Sequence, residues 1–274
     1  MSTEMHVLTN WYNGHRLVRY VNVPDPLGEF TIRVRYKPNT TPSISGATVT
    51  PVTGMENVYD VCTAGEGNKG ASWYQLFQYQ NNLLEVIAAN ATGVTHTNHM
   101  FSGCASLTSV AGFDTSSVTR ADGMFSACRA LTSVGAFDFS SVTNADYIFS
   151  TCESLTNIPV LNFVSCITMA QAFRGCSLLT SVSLLNTGNV TNFYQAFQNC
   201  IALIAVPLLN TSKAGQVTSM FDGCTNVESG ALALYNQMSS QTTPPTQHSY
   251  AFYNCGSNTV TGAAELAQIP SGWK

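Results

Sequence analysis

Phenylalanine recurs at a fixed interval along most of this chain. Phe77, Phe101, Phe125, Phe149, Phe173, Phe197 and Phe221 stand 24 residues apart, and Phe252 follows after a longer gap of 31. Cys104, Cys128, Cys152, Cys176, Cys200, Cys224 and Cys255 each lie three residues behind one of these phenylalanines. A period of roughly 20 to 50 residues, repeated this often, specifies a solenoid in which each unit buries its apolar face only against its neighbours. Length therefore counts repeats more than it counts cores.

Other columns keep the same step, among them Leu83, Leu107, Leu131, Leu155, Leu179 and Leu203, and beside them Val86, Val110, Val134, Ile158, Val182 and Val206. Within one unit the spacing changes. Val118, Ala121, Met124, Phe125 and Cys128 follow one another at three, three, one and three, which predicts the inward face of a short helix. Leu107, Val110 and Gly112 predict a turn into a short parallel strand. The expected fold class is an α/β repeat solenoid of about seven or eight coils, each a short strand plus a short helix.

The pairs Gly112 with Phe113, Ala136 with Phe137, Val160 with Leu161, Leu184 with Leu185 and Leu208 with Leu209 trade size against each other. Close-packed interiors conserve volume, so both positions are expected to share buried space. The competing reading puts the second column, with Phe113, Phe137 and Leu161, on the concave face as an apolar binding stripe.

Charged residues make up only 9% of the chain and the net charge is -4, so the surface is built largely of Ser, Thr, Asn and Gln. Nucleic acid is not expected as a partner, because phosphate binding needs a concentrated Lys/Arg footprint. Arg16, Arg19, Arg33, Arg35 and Lys37 share their stretch with Glu4, Asp25 and Glu29, which predicts a solvated face. The first twenty residues hold no apolar run able to serve as a signal-peptide core, and no run of 18 apolar residues occurs, so no membrane insertion is expected.

Candidate chemistry is sparse. Seven of nine cysteines form the repeat column, with Cys62 and Cys166 outside it, and no CxxC pair occurs, which favours buried free thiols over disulfides or zinc. Asn90, Asp114, Asp138, Asn162, Asn186 and Asn210 occupy a turn column, where an Asx side chain accepts the backbone N–H two residues on. Paired catalysis by Asp114 and Asp138 fails because the equivalent residues elsewhere are amides. His96 and His99 lie three apart, but their positions hold Arg120 and Gly123 one coil later, so they are expected on a solvated face. No P-loop, GxGxxG or GxSxG is present. No catalytic residue, metal or cofactor is expected.

Residues 1–27 predict an arm broken at Pro24 and Pro26. The alternation Phe30, Ile32, Val34, Tyr36 predicts a strand, with two more at 47–52 and 57–62, together a small β unit capping the first coil. The regularity breaks again between Cys224 and Phe252, where ESGALALYNQMSSQ predicts a longer helix, and Trp273 would serve as a C-terminal lid. Two units result, 1–70 as cap and attachment region and 71–274 as the repeats.

The runs MFSGCASLTSV and MFSACRALTSV, with FDTSSVT behind the first and FDFSSVT behind the second, resemble the BspA-like leucine-rich repeat in its short form, over about residues 73–274. The resemblance implies a right-handed solenoid of short parallel strands and short helices, of a kind found in bacterial surface adhesins and in phages of gut bacteria. Ala121, Ala145 and Phe193 stand where that pattern has Met, and SCITMAQAF is expected to shift the valine column by one residue.

The expected function is a non-enzymatic phage virion protein, whether fibre, decoration or receptor-binding component, assembled in the bacterial cytoplasm and mediating adhesion to the host surface. The alternative is an adhesin on the bacterial cell surface. Expected partners are other virion proteins through the N-terminal region, a bacterial surface protein or glycan, and further copies in a homo-oligomer. The binding candidates are Ser109, Ser133, Asn157 and Ser181, at one out-pointing strand position, together with Phe113 and Phe137.

Overall fold

The computed structural model describes residues 6–12, 15–21, 31–63, 72–183 and 185–274. Pro24, Pro26, Phe30, residues 64–70 and Leu184 lie outside the described residues. Within the expected arm, β1 (His6–Tyr12) and β2 (His15–Val21) pair antiparallel, from His6 opposite Val21 to Tyr12 opposite His15.

The capping unit consists of β3 (Thr31–Tyr36), β4 (Thr48–Pro51) and β5 (Val58–Cys62). The first repeat strands are β6 (Leu83–Ala89), β7 (Ser109–Val110) and β8 (Ser133–Val134). All six belong to one sheet in the order β4-β5-β3-β6-β7-β8. β3 runs antiparallel to both β5 and β6, whereas β6, β7 and β8 are parallel to each other. The cap therefore extends the repeat sheet and removes the open edge that β6 would otherwise present. Ile32, Val34 and Tyr36 are buried, as their alternation predicts. Between them Arg33 makes a two-bond contact with Asp60 at 2.7 and 2.8 Å, and Arg35 reaches Glu85 at 3.1 Å. These basic residues are thus paired across the sheet. Further along, β9 (Asn157–Ile158) and β10 (Ser181–Val182) form a second parallel pair.

A second ladder joins the other side of the repeats. Parallel bridges connect Ser72, His96, Arg120, Asn144, Thr168, Asn192, Gln216 and Gln247 in succession. Between the two ladders the phenylalanine rings stack, with centroids 5.5 Å apart at Phe77–Phe101 and 5.1 Å at Phe197–Phe221. The leucine column is fully buried from Leu83 to Leu203. The expected one-residue shift at 165–173 does not occur. Cys166 fills the buried position of Val142 and Val190, and Thr168 bridges Asn144 and Asn192 in unbroken register.

Among the described residues the helix expected in each unit is absent, and its place is taken by turns. His99, Phe101 and Gly103 donate their N–H groups to Asp122, Met124 and Ser126 of the next coil at 2.7–2.9 Å. Met100, Ser102 and Cys104 instead close turns onto the residue three before, at 3.1 Å. This alternation needs a left-handed residue at every fourth position, and φ is 54° at His99 and 75° at Gly103. The same pair recurs at Gly123 and Ala127, Tyr147 and Thr151, and Gln195 and Asn199. A helix would have kept its donors to itself; these coils spend half of theirs on lateral cohesion. True helices among the described residues are α1 (Ala231–Ser239), expected from the insertion, and α2 (Val260–Gln268), which was not expected. A 3-10 turn at Ser271–Trp273 ends the chain.

Phe113, Phe137, Leu161, Leu185 and Leu209 are all buried, while Val160 is 70% and Leu208 81% exposed. The paired positions do not share buried volume. The first member is small early in the stack because the backbones approach closely: a Cβ on Gly112 would lie 2.4 Å from the Ala136 carbonyl oxygen. Farther along the stack the same position carries exposed Val160 and Leu208.

Candidate functional site

The parallel register brings the strand candidates into rows. Ser109 lies opposite Glu85 and Ser133, and Asn157 opposite Ser181. Ser133, Asn157 and Ser181 are exposed and Ser109 is half-buried. The next residue back is threonine, and three of the four hydroxyls are committed to the preceding coil. Thr108 donates to Leu84 O at 2.9 Å, Thr132 to Thr108 O at 3.0 Å and Thr180 to Thr156 O at 3.1 Å. These bonds hold the strands in step and leave the neighbouring Ser and Asn side chains to face outward. Phe113 and Phe137 do not join this surface. Phe113 packs edge-on against Trp73 at 5.9 Å and Phe137 at 5.0 Å inside the core, which corrects their expected place among the binding residues.

An apolar hollow of about 460 Å³ lies beyond the strands, lined by Leu185, Asn186, Thr187, Leu208, Leu209, Asn210 and Gln237. Its last wall comes from α1 of the insertion, within residues 227–250 that offer the alternative binding face. Ala231, Leu234 and Met238 bury one face of α1. Gln237 donates to Leu209 O at 3.1 Å, and Gln241 to Thr211 O at 3.0 Å. The periodic pattern could not show this contact, because the insertion falls outside it.

Turn and thiol columns are structural. Ser116 N donates to Asp114 Oδ1 at 3.0 Å, Ser140 N to Asp138 Oδ1 at 2.9 Å and Ser212 N to Asn210 Oδ1 at 3.1 Å. The two serine bonds onto Asp114 hold its carboxyl below the usual range. All nine cysteines are free, and those of the column are buried. Burial pushes the Cys104, Cys166 and Cys176 thiols up to about 12, where almost no thiolate forms at neutral pH. Among the described residues no cluster of three His, Cys, Asp or Glu is placed to hold a metal, and no helix is long and apolar enough to cross a membrane.

Residues 143–272 match the family described as BspA type leucine rich repeat region, in six copies. The chain is a BspA-like leucine-rich repeat protein. Residues 71–177 also match a family described as Mycoplasma protein of unknown function, DUF285. No curated protein and no solved structure matches the chain. Leucine-rich-repeat domains of this kind generally mediate protein–protein interaction and point to a surface or adhesion role. In this BspA-like protein the outward Ser and Asn of the strand rows and the hollow beside α1 are open to such contact.

Proposed function

We propose that the chain is a non-enzymatic recognition protein whose strand face adheres to a bacterial surface protein or glycan. The observation that carries this reading is the exposed row Ser133, Asn157 and Ser181, beside Thr132 and Thr180 whose hydroxyls are already hydrogen-bonded. Such a row is small, polar and uncharged. It suits a broad hydrogen-bonded contact better than a deep pocket with perturbed ionisable groups. On this reading the repeats wind as a right-handed solenoid of about seven or eight coils, and residues 1–70 fix it to its assembly. The resemblance to repeats of adhesins and phage proteins supports placing it on a virion, assembled in the bacterial cytoplasm and contacting other virion proteins, with a bacterial cell surface as the alternative.

Replacing Ser133, Asn157 and Ser181 together by Lys tests the proposal. The variant is expected to fold normally and to abolish attachment of the purified particle, whose mass spectrum contains the chain, to host cells. Unchanged attachment with the variant confirmed on the particle rules out the strand face. Finding the chain on bacterial envelopes and not on particles moves the same face to the cell surface.

A further inference from the structure

A second recessed surface lies on the other ladder, near the N-terminal end of the repeats. It is an open groove of about 440 Å³ lined by Ser72, Tyr74, His96, Asn98, His99, Arg120 and Asp122. Three consecutive coils supply these side chains, and the parallel bridges Ser72–His96–Arg120 set their spacing.

The chemistry of the groove is mixed in a particular way. Tyr74 is half-exposed, and its ring meets His99 edge-on with centroids 6.4 Å apart, making an aromatic corner. Asp122 is held by Arg120 at 3.1 Å and lies 3.7 Å from His99 Nε2. The guanidinium therefore faces a carboxylate of its own and is not a free anion site. His96 Nδ1 is engaged by the Thr95 hydroxyl at 2.8 Å, which leaves Nε2 as the ring atom for an incoming group. Asn98 is 92% buried by its 8% exposure, and its side-chain carbonyl oxygen is buried with no hydrogen-bond partner. A buried acceptor in that state is costly and marks a place where a donor from a bound molecule belongs.

We propose that this groove binds one neutral sugar residue. A pyranose offers an apolar C–H face for the Tyr74 ring and hydroxyls that both donate and accept. Donating hydroxyls suit Asn98 Oδ1 and Asp122; accepting ones suit Arg120 and the imidazole N–H groups. A phosphate would meet the Asp122 carboxylate, and a simple apolar ligand would leave Asn98 unsatisfied. The site is separate from the strand row and stands whether or not that row binds a partner.

Saturation-transfer NMR on the full chain, with methyl glycosides of glucose, galactose, mannose and N-acetylglucosamine at millimolar concentration, tests this. Transfer from at least one glycoside is expected, with shifts of the His96 and His99 ring protons. Tyr74→Ala and Asp122→Asn are each expected to weaken binding about ten-fold with unchanged melting temperature, and Tyr74→Phe to retain it. The Lys variant of the strand row should bind the glycoside like the parent, which separates this site from the proposed adhesive face. No transfer from any of the four, undiminished binding in both Tyr74→Ala and Asp122→Asn, or displacement of the glycoside by inorganic phosphate or by zinc ion at the same residues overturns the proposal.

Discussion

The Cys128 thiol donates to the carbonyl oxygen of Phe101, 27 residues earlier, at 3.1 Å. That carbonyl also accepts the Cys104 N–H at 3.1 Å, which closes the turn within its own coil. One oxygen thus joins a turn to the coil stacked on it. The relationship repeats from Cys104 with Phe77 to Cys224 with Phe197, always at 2.9–3.1 Å. A cysteine satisfies two needs here that no other small residue meets: it fills apolar space, and it carries a weak donor.

Cys128→Ala is accordingly expected to destabilise the protein by about 1–3 kcal/mol, from lost packing and a lost bond at a fully buried site. Urea unfolding checks this through a lower midpoint. A midpoint equal to the parent's would show that the thiol column contributes no stability.

Alkaline stability follows from the same burial. The Cys176 thiol is raised from 9.0 to about 12, so above about pH 9 the unfolded chain loses protons that the folded one keeps. Stability is fully present below the unfolded value and falls as pH rises toward the folded one. The melting temperature is expected to drop steeply above about pH 9 and less steeply in Cys176→Ala. Identical slopes would remove this thiol from the linkage.

The sequence made the periodic interior readable because a column must be apolar, small or turn-forming in every coil. The Phe, Leu and Cys columns, the Asx turns and the strands of the cap all stand where their spacing places them. The helices of the repeat units are a different case. Val118, Ala121, Met124 and Phe125 face inward at helical spacing, yet the turns that carry them alternate in hand, as at Gly123 and Ala127 with φ of 63° and 59°. Periodicity records which side chains point inward, not which carbonyl each N–H finds. The Tyr74 groove was hidden for a different reason: its residues occupy columns whose occupants change from coil to coil.

Asp146 gives a test of polar burial. Its carboxylate accepts from the Thr168 hydroxyl at 2.6 Å and from Ala170 N at 2.7 Å, yet burial outweighs both bonds and raises its pKa. A raised carboxyl contributes stability below its unfolded value and loses it as pH rises. Asp146→Asn keeps the acceptor oxygen without the charge, as Asn98 does one ladder position away from Asp122. It is expected to melt higher than the parent near neutral pH, with the gap closing as pH falls through the raised folded value towards about 4. A gap independent of pH would show that the charge is not the cause.

Backbone approach can be separated from left-handed strain. A Cβ on Gly135 would lie 2.0 Å from Gly112 N, whereas one on Gly215 meets nothing nearer than Thr191 O at 4.0 Å. Gly135→Ala is expected to cost about 3 kcal/mol or more by prising two coils apart, and Gly215→Ala less than about 0.5 kcal/mol. Thermal unfolding of the pair checks the contrast, and equal losses would refute it.

The insertion is locked to the end of the stack through Glu265 of α2. Helix α1 begins at Gly230 with φ of 96° and no side-chain cap of its own. Its first donors are served from outside: Glu265 on α2 accepts from Gly230 N at 3.4 Å and from Leu232 N at 3.1 Å. A carboxylate at a helix N-terminus satisfies unpaired N–H groups and complements the helix dipole. α2 in turn carries its own cap, Thr259, which accepts from Gly262 N at 3.0 Å. Farther along, Tyr235 of α1 meets Trp273 edge-on at 5.4 Å, and Trp273 stacks on His248 at 4.2 Å. Because Gln237 and Gln241 reach back to Leu209 and Thr211, loosening α1 also loosens the wall of the apolar hollow. Glu265→Ala is therefore expected to cost about 0.5–2 kcal/mol and to speed hydrogen exchange at 231–241, while amides around Phe125 stay protected. Uniform acceleration along the chain would mean that α1 unfolds only with the whole, and unchanged exchange would mean that Glu265 is not its cap.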